Sequence, residues 1–213
     1  MIKLKSQLIE AGCRIVKSDL VTGTWGNISL RVSGQNRVVI TPSGMDYLSL
    51  QIEDLVVVNL DGQVLEGHRK PSSELPLHLA IYRARADVGA VVHTHSIYAT
   101  ACAVARIPVP AIVEDMVQLI GGSIDVAPYA LPGTPQLAQG AVQALGGKNA
   151  VLLANHGGVA VGKDLAEALN VAFMLEKSAR IFVHARSLGH PVVLEERDVE
   201  IMREGYRNSY GQK

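Results

Sequence analysis

The sequence has few cysteines, no excess charge and no long apolar run, and each absence excludes a class of protein. Cys13 and Cys102 lie far apart and match no metal-binding pattern, which is typical of free thiols in the cytoplasm. Basic and acidic residues number 20 each, so no basic excess indicates nucleic acid or an anionic membrane as partner. Every apolar stretch is interrupted well before about 18 residues, and residues 1–20 lack the apolar core of a signal peptide. We therefore expect a cytoplasmic protein.

Apolar runs and helical patterns alternate along the chain, which predicts one α/β domain over residues 1–213 built around a mixed sheet. With 48% apolar residues, the chain can bury a core without disulfides or structural metals. The patterns predict strands at 27–32, 37–41, 88–95, 123–130 and twice within 149–162, and a hairpin over 54–67 that turns at Asp61-Gly62. They predict helices at 73–86, 96–106, 134–147 and 164–187, and an amphipathic helix at the N-terminus.

Three histidines stand at the ends of predicted strands. His93 and His95 close the run 88–95, and alternate strand residues point to one face, with Cα atoms roughly 7 Å apart. His156 ends another apolar run against two glycines, which permit a tight turn. Three such imidazoles leave one position open on a tetrahedral ion, which is the catalytic arrangement of zinc. Taken alone, the His93/His95 pair is equally explained as two unrelated strand-end histidines.

Polar groups in loops add candidate ligands and anion-binding positions. Glu74 alone is a favourable acid in a first helical turn, but beside three histidines it becomes a candidate metal ligand or base. Hydroxyls and backbone amides that can bind an anion occur in three loops, at Gly26-Asn27, Ser43-Gly44 and Ser72-Ser73. Each loop alone is also explained by an ordinary turn or, at Ser72 or Ser73, by a helix cap.

Five ordered motifs make the combination recognisable: Gly26-Asn27-Ile28-Ser29, Thr41-Pro42-Ser43-Gly44, Pro71-Ser72-Ser73-Glu74, His93-Thr94-His95 and Asn155-His156-Gly157. Over nearly the whole chain they resemble the class II aldolase/adducin family, most closely its L-fuculose-phosphate aldolase branch. The resemblance implies a central mixed, largely antiparallel sheet flanked by helices. It also implies a C4-like homotetramer with active sites at subunit interfaces.

The same resemblance implies the roles of the candidate residues. His93, His95, His156 and Glu74 would bind one divalent ion per subunit, most often Zn²⁺, with Mn²⁺ or Co²⁺ as alternatives. Glu74 would also act as the acid/base group. The loops at Gly26-Asn27, Ser43-Gly44 and Ser72-Ser73 would bind the phosphate of a sugar substrate.

The sequence departs from the fuculose-phosphate branch over residues 111–122. The branch places there a tyrosine that reaches from a neighbouring subunit, whereas this chain has Glu114 and Asp115. A carboxylate near this point is similar to the acid/base glutamate of methylthioribulose-phosphate dehydratases. A second aldolase tyrosine, in the C-terminal tail, matches Tyr210, with Tyr206 as the alternative. Trp25 and Tyr47 are candidates for the border of the aldehyde pocket or for plain packing.

The favoured hypothesis is a metal-dependent aldolase, a lyase of carbohydrate metabolism. It would cleave L-fuculose 1-phosphate or a 5-deoxypentulose 1-phosphate to dihydroxyacetone phosphate and a small aldehyde. Dehydration, as of methylthioribulose 1-phosphate, and pentose-phosphate 4-epimerisation stay open because both need the same metal-held enolate or enediolate. A non-catalytic scaffold like the adducin head is disfavoured, because such heads lack the metal histidines.

Overall fold

The computed structural model of the chain describes residues 1–209, and a single sheet of eight strands runs through them. The strands are β1 (Asn27–Arg31), β2 (Arg37–Ile40), β3 (Val56–Asn59), β4 (Val64–Glu66), β5 (Ala90–Thr94), β6 (Val126–Ala127), β7 (Ala150–Leu153) and β8 (Gly157–Gly162). The helices are α1 (Ile2–Lys17), α2 (Leu75–Ala84), α3 (Ile97–Ala105), α4 (Glu114–Ile120), α5 (Pro135–Leu145), α6 (Leu165–Leu188) and α7 (Glu196–Ser209), with a 3₁₀ turn at Ile52–Asp54.

The strand order is β4-β3-β2-β1-β5-β8-β7-β6. Only β6 and β7 pair in parallel among the described strands, and the other neighbours are antiparallel. The two central pairings, β1 with β5 and β5 with β8, bring distant parts of the sequence side by side. Because antiparallel neighbours run in opposite directions, the end of β5 lies beside the beginnings of β1 and β8.

Each face of the sheet buries its own apolar layer, since successive strand residues point to opposite faces. On β5, Val92 packs into the larger core beneath α1, α3, α4 and α6. Its neighbour Val91 packs into the second core beneath α2 and α5. The sheet and the helices on its two faces thus form three layers. In this arrangement the first turn of α2 comes to the edge of the sheet.

Local chemistry sets the ends of the helices. The Thr134 hydroxyl accepts a hydrogen bond from Leu137 N (3.3 Å) at the start of α5, and Pro135 occupies its first turn. Asp164 Oδ1 accepts from Glu167 N (2.8 Å) at the start of α6. Among the described helices, none is both long and apolar enough to cross a membrane.

The predicted α/β domain with a mixed, largely antiparallel sheet is confirmed, as are the hairpins and the long helix α6. The predicted strand over 123–130 is wrong in extent, because only Val126 and Ala127 pair with β7. Pro128 follows and has no N–H to donate to a ladder, and Ile124 pairs instead with Val109 in an isolated bridge. The sequence patterns predict neither α4 nor α7, which pack against each other.

Candidate metal centre

The candidate histidines and Glu74 meet at the edge of the sheet where β1, β5 and β8 lie side by side. His93 is near the end of β5, and His95 follows that end by one residue. His156 directly precedes β8, which runs antiparallel to β5, so the three imidazoles come to the same edge. Glu74 is the last residue before α2 and approaches from that helix.

The four side chains form one cluster. His93 Nε2 lies 2.9 Å from His95 Nε2 and 3.0 Å from Glu74 Oε2. His156 Nε2 lies 3.5 Å from Glu74 Oε1. One ligand atom from each of the four residues lies within 4.8 Å of the others. The structure thus brings together all four residues that the sequence predicts as metal ligands.

The donor set fits a divalent cation. His93 Nδ1 lies 2.9 Å from the carbonyl oxygen of Gly158, which only accepts hydrogen bonds, so Nδ1 carries the proton. The lone pair of His93 Nε2 therefore faces the cluster, as it does in metal-bound histidines. Glu74 Oε1 is buried and has no hydrogen-bond partner among the described residues. A cation satisfies this oxygen and the imidazole nitrogens together.

Electrostatics keep these groups in the forms that bind metals. Burial, together with the neighbouring imidazoles, lowers the pKa of His95 to about 3, and burial likewise lowers the pKa of His156 to about 4. Burial alone would raise the pKa of Glu74, but its contacts with His93, His156 and Asn27 outweigh burial and lower that pKa. At neutral pH the site thus presents the neutral imidazoles of His95 and His156 and the carboxylate of Glu74.

A cavity of about 350 Å³ opens in front of the cluster, and Glu74, His95 and His156 contribute to its wall. Its lining includes every residue predicted to bind phosphate: Gly26, Asn27, Ser43, Gly44, Ser72 and Ser73. Two of the loops are joined by backbone hydrogen bonds, from Ser43 N to Lys70 O (3.0 Å) and from Ser72 N to Thr41 O (3.1 Å). The loops that carry Ser43 and Ser72 are therefore joined to each other in the cavity wall.

The two serines before α2 have different surroundings. Ser72 is buried, and its hydroxyl accepts a hydrogen bond from Glu74 N (3.2 Å). Ser73 is exposed in the cavity wall. Ser72 thus stabilises the turn that carries Glu74, whereas Ser73 is the hydroxyl open to a ligand.

Two glycines allow the neighbouring backbone to pack closely against β5. Gly26 has φ +80°, and a Cβ there would lie 2.7 Å from the carbonyl oxygen of His93. At Gly157 a Cβ would overlap the carbonyl oxygen of Thr94. Any larger residue at either position would push the loop or β8 away from the histidines.

The aromatic candidates divide between the cavity and the core. Trp25 lines the cavity, is 65% exposed and stacks on His95 with ring centroids 5.9 Å apart. Tyr47 is 2% exposed and packs in the larger core beside Gly12. The packing interpretation of Tyr47 therefore holds, and Trp25 is the aromatic residue at the mouth of the cavity.

Among the described residues, Glu114, Asp115 and Tyr206 lie away from the cluster. Glu114 begins α4 and is exposed, and the carboxylate of Asp115 binds Lys177 Nζ. Neither lines the cavity of the metal centre. Tyr206 lies on α7 and lines other cavities, and Tyr210 is outside the described residues.

Sequence reasoning missed His78, which is fully buried behind the cluster. It contacts Ser29 Oγ through Nδ1 (2.6 Å) and Asn27 Oδ1 through Nε2 (2.5 Å). Burial lowers the pKa of His78 to about 3. Its position four residues after Glu74, on the same face of a helix, is the signal that could have identified it.

Comparison with known proteins agrees with this geometry. Residues 6–183 match the Class II Aldolase and Adducin N-terminal domain. A 5-deoxy-D-ribulose 1-phosphate aldolase of Bacillus thuringiensis serovar kurstaki is 41% identical, with 99% of this chain and 98% of that protein covered. A 5-methylthioribulose-1-phosphate/5-deoxyribulose-1-phosphate aldolase of Rhodospirillum rubrum is 36% identical, with 99% and 93% covered. A solved L-fuculose 1-phosphate aldolase superimposes with a TM-score of 0.94 at 40% identity and covers 96% of both chains. The chain belongs to the class II aldolase and adducin family.

Proposed function

We propose that the chain, as one domain over residues 1–213, is a divalent-metal-dependent aldolase. It cleaves a ketose 1-phosphate to dihydroxyacetone phosphate and a small aldehyde, with a 5-deoxypentulose 1-phosphate or L-fuculose 1-phosphate as substrate. The observation that carries the proposal is the contact of Glu74 with His93 and His156 beside a cavity that is lined by the three loops predicted to bind phosphate. The aldolase names of the similar proteins support the same reaction.

His93, His95, His156 and Glu74 would hold the ion, with Zn²⁺ favoured because the donors are mainly imidazole nitrogens, and Mn²⁺ or Co²⁺ as alternatives. A divalent ion bound there supplies Lewis-acid stabilisation of the negative charge that develops as a carbon–carbon bond breaks. The intact set of ligands argues against a non-catalytic scaffold.

Glu74 is the proposed proton carrier. Its Oε2 accepts a hydrogen bond from Asn27 Nδ2 (3.0 Å), whereas its Oε1 has no hydrogen-bond partner among the described residues. A carboxylate with one fixed oxygen can move a proton at the carbon next to the substrate carbonyl without changing its place. Burial of Glu74 at 6% exposure excludes most water from that transfer.

The cavity wall opposite the histidines would bind the substrate phosphate. The chain has zero net charge, so the affinity for an anion must come from local amides and hydroxyls. Ser73, Ser43 and Gly44 are exposed there. Trp25, stacked on His95, would border the aldehyde end.

We also propose a cytoplasmic homotetramer with active sites at the subunit interfaces. Ile97 and Val104 on α3 are 71% and 53% exposed, which supports burial against another subunit. Within one chain the exposed Glu114 is not at the cavity, and a neighbouring subunit would present it as a second acid/base group, with Asp115 already bound to Lys177. The free thiols of Cys13 and Cys102 agree with a reducing compartment.

The assignment of Glu114 is tested by comparing Glu114→Gln with Asp115→Asn in protein of established oligomeric state. Glu114→Gln should lower kcat by about 10²-fold, the lower end for an acid/base group. Asp115→Asn, which removes only the exposed ion pair with Lys177, should leave kcat within about twofold. The reverse order would assign the role to Asp115.

The reaction itself is tested with a panel of phosphorylated ketoses and the metal-loaded enzyme. L-Fuculose 1-phosphate, 5-deoxyribulose 1-phosphate, methylthioribulose 1-phosphate and ribulose 5-phosphate are assayed for triose phosphate, dehydrated ketone and epimer together. The proposal expects dihydroxyacetone phosphate from at least one of the first two. A diketo phosphate without triose phosphate would make the enzyme a dehydratase, and an epimer alone would make it a 4-epimerase.

A further inference from the structure

A continuous row of buried side chains extends from Glu74 into the layer beneath the sheet. Asn27 Nδ2 lies 3.0 Å from Glu74 Oε2, and Asn27 Oδ1 lies 2.5 Å from His78 Nε2. His78 Nδ1 lies 2.6 Å from Ser29 Oγ, which lies 2.9 Å from the hydroxyl of Tyr82. Asn27 and Ser29 alternate on β1, and His78 and Tyr82 lie four residues apart on α2. The row is thus built by one strand and one helix.

Every proton in this row has a determined place. A carboxylate only accepts hydrogen bonds, so the Asn27 amide must turn its Nδ2 toward Glu74 and its Oδ1 toward His78. A carbonyl oxygen also only accepts, so His78 Nε2 carries the ring proton and donates it to Asn27 Oδ1. The Nδ1 of the neutral ring then accepts from the Ser29 hydroxyl, and Ser29 accepts from Tyr82. All donors in the row therefore point toward Glu74.

We propose that His78 is a positioning residue that acts through the Asn27 amide and holds Glu74 with Oε2 fixed and Oε1 turned toward His156. Asn27 is 5% exposed and His78 is fully buried, so water does not replace the imidazole as donor to Asn27. Without that donor the buried Asn27 Oδ1 is left unpaired, so the amide loses one of its two contacts and holds Glu74 Oε2 less firmly. Without the hydrogen bond from Asn27, the residues around Glu74 would contact its Oε1 and Oε2 without distinction.

The orientation of the imidazole can be tested without substrate. Long-range ¹H–¹⁵N NMR of ¹⁵N-histidine-labelled, metal-free full-length protein distinguishes the two neutral tautomers of each ring, and the signal lost in His78→Gln identifies His78. We expect a neutral ring protonated at Nε2. A ring protonated at Nδ1 would overturn the proposal, because it would leave Asn27 Oδ1 facing a lone pair.

The kinetic test rests on the proposed function and compares two amides at one position. His78→Gln can extend its amide to the place of Nε2 and keep the donor to Asn27, whereas the shorter His78→Asn reaches only the place of Nδ1 and keeps the contact with Ser29. At saturating metal, His78→Asn should lower kcat by about 10–100-fold with KM within about threefold. His78→Gln should recover most of the loss.

Tyr82→Phe is the matched control, since it removes the last hydroxyl of the row and leaves the Ser29, His78 and Asn27 contacts in place. It should lower the thermal midpoint while kcat stays within about twofold. Equal kcat in folded, metal-loaded His78→Asn and wild type would refute the positioning role, and so would equal losses in His78→Asn and Tyr82→Phe. If the wild-type protein cleaves no ketose phosphate, the proposed function fails. The tautomer of His78, measured by NMR, would still test the positioning role.

Discussion

The two walls of the cavity are built in different ways. The histidine wall is carried by the central strands β5 and β8, and His93 is fully buried there. The hydroxyl wall is carried by turns, and Ser43 and Ser73 are exposed. On the first wall the pairing of β5 with β8 fixes His93 and brings His95 and His156 to one edge, whereas on the second the donors depend on loops held by a few backbone hydrogen bonds. The first wall therefore suits chemistry that needs fixed geometry, and the second suits binding of an anion through exposed hydroxyls.

The largest expected effect comes from removing a donor on the strand-borne wall. His93→Ala or His156→Ala should lose the metal and abolish measurable cleavage, because two imidazoles and Glu74 hold an ion much less tightly than the full set. Elemental analysis of the purified variants gives metal per subunit, and Ser73→Ala on the opposite wall is the control that should keep its metal. Unchanged metal content in both histidine variants would refute the assignment.

The next effect concerns turnover. Glu74→Gln should fold normally and lower kcat by about 10²–10⁴-fold, since the amide cannot carry a proton. Exposed Glu53 in the 3₁₀ turn provides the matched control, and Glu53→Gln should turn over like wild type. Steady-state kinetics with a coupled dehydrogenase measures both, and circular dichroism checks the fold. Wild-type kcat in Glu74→Gln would remove Glu74 from the mechanism.

Three histidines, His78 behind the metal centre and two within it, also predict a pH dependence for the metal-free protein. Buried His78 takes up a proton only near pH 3 when folded, but near its usual pKa of 6.5 when unfolded. Between these values the unfolded chain binds more protons, so stability is lost as pH falls from about 6.5 toward 3. His95 and His156 act in the same direction. Each such group changes the free energy of unfolding by roughly 1.4 kcal/mol per pH unit at most.

Urea denaturation in the presence of a chelator, at pH 7 and pH 5, measures this effect. We expect the free energy of unfolding to fall by about 2 kcal/mol or more, the share of one fully buried histidine. Bound metal keeps the imidazoles unprotonated, so the metal-loaded protein should resist the change until the ion is released. A metal-free protein equally stable at both pH values would contradict the buried, neutral state of these rings.

The smallest effect is expected on the loop-borne wall. Ser73→Ala should raise KM for the phosphorylated ketose by about tenfold, the value of one hydrogen bond to a charged group. Metal content should not change, and kcat should change less than KM. Comparison with the unphosphorylated sugar separates phosphate binding from other effects. If Ser73→Ala alters both substrates equally, the serine does not bind the phosphate.

The sequence predicted the metal ligands because their signals are local. His93 and His95 alternate on one strand, and His156 stands between an apolar run and a glycine pair. The role of His78 depends instead on which residues of β1 face α2, and that register is not visible in either segment alone. The same structure changes the view of Asn27, which was predicted to bind phosphate but whose side-chain amide is engaged by Glu74 and His78.

Other predictions failed or stay open for physical reasons. The strand expected over 123–130 is limited to two residues, since Pro128 cannot extend the ladder. The helix α4 carries Glu114 and Asp115, and the role proposed for Glu114 depends on a neighbouring subunit, whose position no pattern within one chain encodes. The assignment of Tyr210 stays a prediction.

The strands beside the candidate ligands lie far apart in the sequence. This separation determines when the site can form during folding. The hydrogen bond from His93 to Gly158 spans 65 residues, so the site does not exist until β5 and β8 have paired. Closing a loop of that length costs chain entropy before any contact at the site is gained, which places this pairing among the slower steps. A nascent chain that has not yet reached β8 offers only isolated histidines. Binding of a metal ion at this cluster would therefore follow completion of the central sheet and would stabilise the folded state.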